Sequence, residues 1–259
     1  MVTLLGSIDY NADRLAQPAT ALRIDTEGSE CESPVHLHRK GQLVVALHGG
    51  VTCEVPGGLW MVPPQCGVWI PGGMPHSNRT TANARLCFLF VEPGAAQLPT
   101  ECATLALTPL IREMILHLAD ASQEYPPDSH TARLVQVLLS ELTLMPTEQL
   151  HLPVSDHVRL RQIASALTQQ PDDRSTVAEW GERFAMSERT LARLVLNETG
   201  MTFGRWRRQL HLIIALQRLA SGATVQRVSE DLGYDSVSAF ITMFKKALGK
   251  SPARYFSDK

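Results

Sequence analysis

The stretch TVAEWGERFAMS (residues 176–187), set above TVQRVSEDLGYDS (residues 224–236), decides how the last third of the chain folds. The segments repeat at an offset of 48 positions, which becomes 49 after one inserted residue. Val177 then matches Val225, Phe184 matches Leu232 and Ser187 matches Ser236; further on, Leu191 matches Phe240, Val195 matches Phe244 and Gly200 matches Gly249. Each copy spells a short helix, a tight turn, a serine, a second helix and a closing glycine. That is the order of a helix-turn-helix, whose second helix is the one presented to the major groove.

Local chemistry supports these boundaries. Thr176 and Glu179 have capping-box spacing, Ser187 and Ser236 can each accept an orphan helix N–H, and Gly200 and Gly249 suit the position just past a helix end. Ser251-Pro252 restarts a last helix, with proline at its first position. Between the copies, Thr202 to about Ala220 predicts a helix roughly 28 Å long at 1.5 Å per residue. A connector of that length can hold two recognition helices about one DNA turn, ~34 Å, apart.

At 100° per residue, Leu191, Leu194 and Val195 mark the buried side of the first recognition helix and place Arg189 and Arg193 opposite. These two arginines are the candidate base readers, because arginine can donate twice to guanine O6 and N7. In the second copy Phe240, Met243 and Phe244 form the buried side, so Ser238 and Thr242 face outward as short, ambiguous readers. Ser187 joins the DNA-facing set at the start of the first helix, while Ser236, Lys245 and Lys246 are expected to contact phosphate and hold register.

Residues from about 156 to 256 resemble the DNA-binding domain of the AraC/XylS family of bacterial regulators. The resemblance is carried by SERTLARLVLNETGMTFGRWRRQLHLIIALQRLASG (187–222) and VQRVSEDLGYDSVSAFITMFKKALGKSPARYF (225–256). Trp180-Gly181 and Ser229 depart from it, standing where the family commonly has alanine-like packing residues, and local helix packing is expected to differ there. The resemblance implies a transcription regulator with double-stranded promoter DNA as partner, a small-molecule effector, and contact with RNA polymerase and a second copy of the chain as further partners.

Charge divides the same way. The formal charge of the 259 residues is -2, but residues 1–153 hold 8 Lys+Arg against 15 Asp+Glu, net -7, and residues 154–259 hold 16 against 11, net +5. A basic C-terminal part joined to an acidic N-terminal one suggests that only the former meets a polyanion.

From about Ala21 to Pro93 the chain consists of short β-type runs (QLVVAL, GGVTCEV, GLWMV, GVWI, ARLCFLFV) punctuated by Gly and Pro, which predicts an antiparallel barrel or sandwich. Helical periodicity follows Pro109: Leu110, Ile111, Met114, Ile115 and Leu118 share one face, and Leu134, Val135, Leu138 and Leu142 share another on a helix from about His130 to Leu144. These helices either cover the open side of the barrel or form a dimer seam. MPTEQLHLPVSD (145–156) reads as a linker, and everything beyond it as helix. The expected organisation is α+β with two domains: a cupin-like barrel over 1–107, a helical coupling or dimerisation segment with linker over 108–153, and an all-α domain with two helix-turn-helix motifs over 154–259.

His36-Leu-His38 puts two imidazoles at i and i+2, on one face if the segment is a strand, and Gln42 shares that parity if a strand resumes after Arg39-Lys40-Gly41. Pro71-Gly-Gly-Met-Pro-His76 adds a third histidine after a turn. This resembles the two cupin motifs, H-x-H-x(3)-E and P-x-G-x-x-H, whose four side chains meet a metal inside the barrel, with Gln42 in place of the usual glutamate. A carboxamide brings no charge, so the site is weaker for Mn or Fe than the family pattern, yet three imidazoles can still hold Zn, Ni or Fe(II). The same four side chains could instead hydrogen-bond an organic effector without metal. Trp60, Trp69 and Phe88 are candidates either to line that cavity or to fill plain core. His48, His117, His130, His151, His157 and His211 form no cluster and read as structural or exposed.

A cupin metalloenzyme with an appended DNA-binding domain is the competing reading. The missing glutamate, and the lack of a paired carboxylate or lysine near the histidines, weigh against an enzyme. The five cysteines are scattered, with no C-x-x-C, and read as small buried residues in a reducing compartment. The N-terminal sequence lacks a signal pattern and no apolar run approaches the ~20 residues of a membrane span, so a soluble, cytoplasmic protein without a membrane partner is expected.

Overall fold

A computed structural model describes residues 3–4, 10–26, 28, 30–62, 66–148, 151–155 and 157–257. The chain divides into two compact units, one of residues 1–55 and 60–150, the other of residues 56–59 and 151–259.

Along residues 1–150 the strands are β1 (Thr3–Leu4), β2 (Ala19–Asp25), β3 (Cys31–His36), β4 (Gly41–His48), β5 (Val51–Val55), β6 (Gly58–Val62), β7 (Cys66–Ile70), β8 (His76–Thr80), β9 (Arg85–Val91), β10 (Ala103–Ala106) and β11 (Thr147–Glu148). One sheet runs β1-β3-β8-β5-β6 and the other β11-β10-β7-β4-β9-β2. Strict alternation sorts the side chains of β4 and β9. Val44, Leu86, Phe88 and Phe90 point into a core shared with Val51, Cys53, Val55 and Trp60 of the other sheet. Leu43, Val45, Cys87, Leu89 and Val91 point the other way, into a second core.

That second core is closed by α1 (Pro109–Asp120) and α2 (His130–Leu142), which bring Ile111, Ile115 and Leu118, and Val135, Leu138, Leu139 and Leu142, onto the sheet. The run LCFLFV is continuously apolar because both faces of its strand are covered. Thr108 and Ser129 start the two helices by accepting the N–H groups of Ile111 and Ala132. Their connection also seals the edge of β2: the Gln123 side chain accepts the Ala21 N–H at 2.7 Å, and Tyr125 donates its hydroxyl to the Ala19 carbonyl at 2.7 Å.

Two expectations change here. Part of the expected linker is strand, since β11 pairs with β10 (Thr104 opposite Glu148, Leu105 opposite Thr147), and β12 (His151–Pro153) opens the second unit before any helix. Proline misled the reading, because it is tolerated where its missing N–H is not needed by a ladder. Gln149, Leu150 and Asp156 of that linker lie outside the described residues. Trp60 and Trp69 belong to the two cores, and Trp69 donates its indole N–H to the Pro99 carbonyl at 2.8 Å.

The second unit continues with α3 (Val158–Gln169), α4 (Val177–Arg183), α5 (Glu188–Thr199), α6 (Phe203–Ala220), α7 (Val225–Asp231), α8 (Val237–Leu248) and α9 (Pro252–Ser257). The helix pairs α4–α5 and α7–α8 are the two copies of the repeat.

Candidate DNA interface and sensor cavity

Both motifs are built from short-range capping chemistry. Thr176 and Glu179 close a reciprocal box, the Thr176 N–H donating to Glu179 Oε2 at 2.6 Å and the Glu179 N–H to Thr176 Oγ1 at 3.3 Å. In the second copy Arg227 stands where Glu179 stands in the first, so Thr224 caps alone and Arg227 pairs with Asp231 at 2.9 Å. Ser187 and Ser236 open α5 and α8 by accepting the Thr190 and Ala239 N–H groups, each at 3.2 Å. Gly200 and Gly249 close them with φ of 67° and 73°.

The departures from the family pattern sit in α4 and α7, on the sides that face the turns. A Cβ on Gly181 would lie 2.7 Å from the Met186 carbonyl oxygen, so only glycine lets the turn fold back this closely. Its counterpart Ser229 is buried and donates its hydroxyl to the Ser236 carbonyl at 3.3 Å. The turn residue Ala185 takes a φ of 53°, where its counterpart Gly233 has 70°.

Leu191 and Val195 are fully buried and Leu194 half-buried, so Arg189 and Arg193 are exposed on the opposite side of α5. Neither arginine has a hydrogen bond or ion pair among the described residues. In α8, Phe240 and Phe244 are buried, Met243 is half-buried, and Ser238, Thr242, Lys245 and Lys246 are exposed. Thr242 donates its hydroxyl to the Ser238 carbonyl at 2.8 Å, which occupies its only proton within the helix.

The segment between α3 and α4 ties the two motifs together. Arg174 reaches Asp235 at 2.5 Å and the Gly233 carbonyl, both in the second motif. Asp173 takes Arg183 of the first motif at 2.5 Å; burial opposes its charge, but the Ser175 and Arg183 hydrogen bonds outweigh it and hold the carboxyl down at about 2. His211 of α6 lies edge-on to Tyr234 at 5.9 Å, and its buried Nε2 has no partner among the described residues.

Burial, reinforced by Arg207, pushes the His211 imidazole down to about 4 from 6.5. The unfolded chain therefore binds this proton first, and the stability held by neutral His211 is full above about 6.5 and lost as pH falls toward 4. At ~1.4 kcal/mol per unit, acidifying from about pH 6.5 to about 5 should destabilise this unit by on the order of 1–2 kcal/mol. His211→Gln should flatten that slope, read as urea midpoints at the two pH values.

In the first unit, β3 and β8 place His36 and His76 directly opposite one another, beyond a bulge after Ser33. β3 ends at His36, so His38 does not share its strand, as the i, i+2 reading expected; it lies in the connection to β4. That connection is held by Asp13, which accepts the Arg39 and Lys40 N–H groups at 2.7 and 3.1 Å, and by buried Lys40, which donates to the Gln17 carbonyl at 2.9 Å. Gly73 N–H donates to the His38 carbonyl at 2.8 Å. A Cβ on Gly72 would lie 2.0 Å from the Arg39 carbonyl oxygen, so the Pro71–Gly73 turn needs glycine for that approach.

The three imidazoles converge: their nearest ring nitrogens lie within 4.8 Å of one another. Each Nδ1 faces a backbone carbonyl, Pro34 at 2.8 Å for His36, Lys40 at 2.5 Å for His38 and Met74 at 2.9 Å for His76. A carbonyl can only accept, so each Nδ1 carries a proton, and in the neutral ring the lone pair is on Nε2. Gln42, buried on β4, sets its Oε1 2.8 Å from His38 Nε2 and 3.1 Å from His76 Nε2. Burial is the main reason the His76 imidazole drops to about 4. A cavity of about 400 Å³ opens beside this cluster, lined by His36, His38 and Gln42 and by Phe88, Phe90 and Asn78.

A helix-turn-helix domain family matches residues 180–258. The transcriptional regulator NimR of Escherichia coli is 53% identical over 248 residues, covering 96% of this chain and 91% of that protein. The chain belongs to the AraC family of transcription regulators. The activator RhaS of Yersinia pestis is 24% identical over 273 residues, covering 97% of each chain. As an AraC-family regulator the protein binds DNA through its helix-turn-helix unit and is not an enzyme.

In this AraC-family chain His36, His38, Gln42 and His76, singled out from sequence, come together, and Phe88 lines the neighbouring cavity while Trp60 and Trp69 do not. Asn78 and Asp13 escaped the sequence reading. Asn78 follows His76 by two positions on β8 and so shares its inward face, a signal that the strand-like HSNRT carries once His76 is known to start a strand. Asp13 acts across more than twenty residues, and local sequence carries no sign of it.

Proposed function

We propose that this AraC-family regulator works in the cytoplasm on promoter DNA, reads bases chiefly with Arg189 and Arg193, and is controlled by a divalent transition metal held by His36, His38, His76 and Gln42. The observation that supports the metal is the convergence of three Nε2 lone pairs and Gln42 Oε1 with each Nδ1 already committed to a carbonyl. Four acceptors facing one another repel, and a cation at their centre removes the conflict. Three imidazoles and a carboxamide oxygen suit a borderline ion such as Zn, Ni or Fe(II). The carbonyl contacts to Nδ1 fix the rings as outer partners of metal-binding histidines do. When bound, the ion would supply a fixed positive charge, and DNA affinity would change only as far as one of two conformations holds it better.

A metal-free small-molecule pocket is the second reading, favoured by the same 2.8 and 3.1 Å separations if the Gln42 amide is turned to donate one N–H to each of His38 and His76. Gln42→Glu separates the two, because it strengthens a metal site and destroys the amide fork. Metal-competition titration should show the glutamate variant binding Zn or Ni about tenfold more tightly, and His76→Ala more than ~100-fold more weakly. Tighter binding in neither metal, with His76→Ala unchanged, would leave the metal-free pocket. Leu110, Val137 and Leu144 remain more than half exposed on or just past α1 and α2, which supports these helices as the contact with a second copy.

A further inference from the structure

The loop between α3 and α4 touches both helix-turn-helix motifs, and its two ends are built differently. The first-motif end is pinned. Asp173, with a side chain only 12% exposed, accepts from Arg183 at 2.5 Å and from the Ser175 N–H at 2.7 Å, and the Ser175 hydroxyl takes a second Arg183 N–H at 2.5 Å. Arg207 of α6 donates to the Ser175 carbonyl at 2.9 Å. The second-motif end is a fork. Arg174 places one guanidinium nitrogen on Asp235 at 2.5 Å and the other on the Gly233 carbonyl, and the Gly233 backbone sits so close to the loop that a Cβ there would lie 3.0 Å from the Asp172 Cα.

The repeat supplies its own comparison for Asp235. In the first motif the same position is Met186, which is buried, so the turn itself requires no acid. Asp235 is exposed and directly precedes the Ser236 cap of α8, at the end of a recognition helix that approaches DNA, where a carboxylate repels phosphate. Nor does its pairing serve stability: the Arg174 and Asp235 side chains are 60% and 85% exposed, and such a pair adds little. Its consequence is geometric. α6 joins the motifs through short connections at residues 200–202 and 221–224, and one helix flanked by two loops leaves each motif a pivot. A second, independent connection removes that freedom.

We propose that Arg174 is a positioning residue for DNA binding: through Asp235 and the Gly233 carbonyl it holds α8 at a fixed angle to α5, so that both helices meet one duplex without reorientation. Two linked modules gain affinity from one another only as far as their geometry lets them engage together, and orienting them in advance reduces the entropy lost on binding.

Arg174→Gln and Asp235→Ala, made in the full-length protein, should each weaken binding to a duplex of about 20 base pairs, two DNA turns, by about threefold to fivefold. The duplex carries an operator that the unsubstituted protein selects from a random pool. The sign for Asp235→Ala is decisive, since removing an acid from the DNA-facing motif would on charge alone tighten binding. The double variant should bind no more weakly than either single one, because both break the same tie, whereas on charge alone its two changes would cancel. Thermal midpoints should stay within the range of a surface change. In the free protein, spin labels at Ala192→Cys on α5 and Ala247→Cys on α8 report the separation of the recognition helices by pulsed double-resonance spectroscopy. Both positions are exposed, and Cys102→Ser removes the one native thiol that is not buried. The distance distribution should broaden with either substitution. Asp235→Ala protein that binds DNA as tightly as the unsubstituted chain, or more tightly, overturns the proposal, as do losses that multiply in the double variant or a distance distribution that neither substitution changes.

Discussion

Alanine at both Arg189 and Arg193 is expected to weaken binding to a specific operator by about 30-fold to 10⁴-fold, at ~1–3 kcal/mol for each lost bidentate contact with guanine. The structure places both guanidinium groups on the side of α5 away from buried Leu191 and Val195, free of any internal ion pair among the described residues. Nothing inside the unit is lost with them, so its thermal midpoint should stay within the range of a surface change. Affinity for unrelated duplex should fall far less, because two charges out of a basic surface remove about two counterion-release contributions and no base readout. Band-shift titrations on operator and on random duplex, with a footprint, measure both numbers. Equal losses on the two duplexes would make these arginines phosphate contacts; unchanged footprints would remove them from the interface.

How much of this was open to a sequence reader depended on the range of the interactions. The two helix-turn-helix motifs were legible because caps, turns and buried faces act within four residues: Thr176 with Glu179, Ser187 with Thr190, Leu191 with Val195. The histidine cluster was legible in membership but not in mechanism. His38 reaches the cluster through a loop pinned by Asp13, not along a strand, and the opposition of His36 and His76 depends on pairing between β3 and β8 across a bulge. Asn78 and the free face of the cavity are products of that pairing. Strand β12 was missed because Pro153 looks like a break in a one-dimensional reading, although Pro153 also accepts the Trp206 indole N–H at 3.1 Å.

The proposed unequal division of labour between the motifs has a structural counterpart. At the positions equivalent to Arg189 and Arg193, Ser238 offers one hydroxyl and Thr242 has already donated its own to the helix backbone. The second motif, in turn, is braced by Arg174 from the segment before α4, by Arg218 of α6 on Asp231, and by Arg227 on Asp231 within α7. A motif that positions has more use for such bracing than for long side chains at its surface.

Phe240→Ala tests that division from the core. Phe240 is fully buried, with its ring centroid 5.6 Å from Tyr234 and 5.9 Å from Phe244, which in turn meets Tyr255 at 5.6 Å. Truncation removes the middle of this aromatic row and leaves a cavity that its ring neighbours can fill only partly, so the unit should lose ~3–5 kcal/mol of stability, read as a lowered urea midpoint. A loss below about 1 kcal/mol would mean that α8 is not packed as described. The binding signature should be the reverse of the arginine pair. With the positioning helix loosened and the reading helix intact, affinity for operator and for random duplex should fall by similar factors, measured at a temperature where the variant remains folded. If Phe240→Ala instead lost operator affinity selectively, α8 would be reading bases, and Ser238 or Thr242 would have to carry a contact that their short side chains and the Thr242 backbone bond leave little room for.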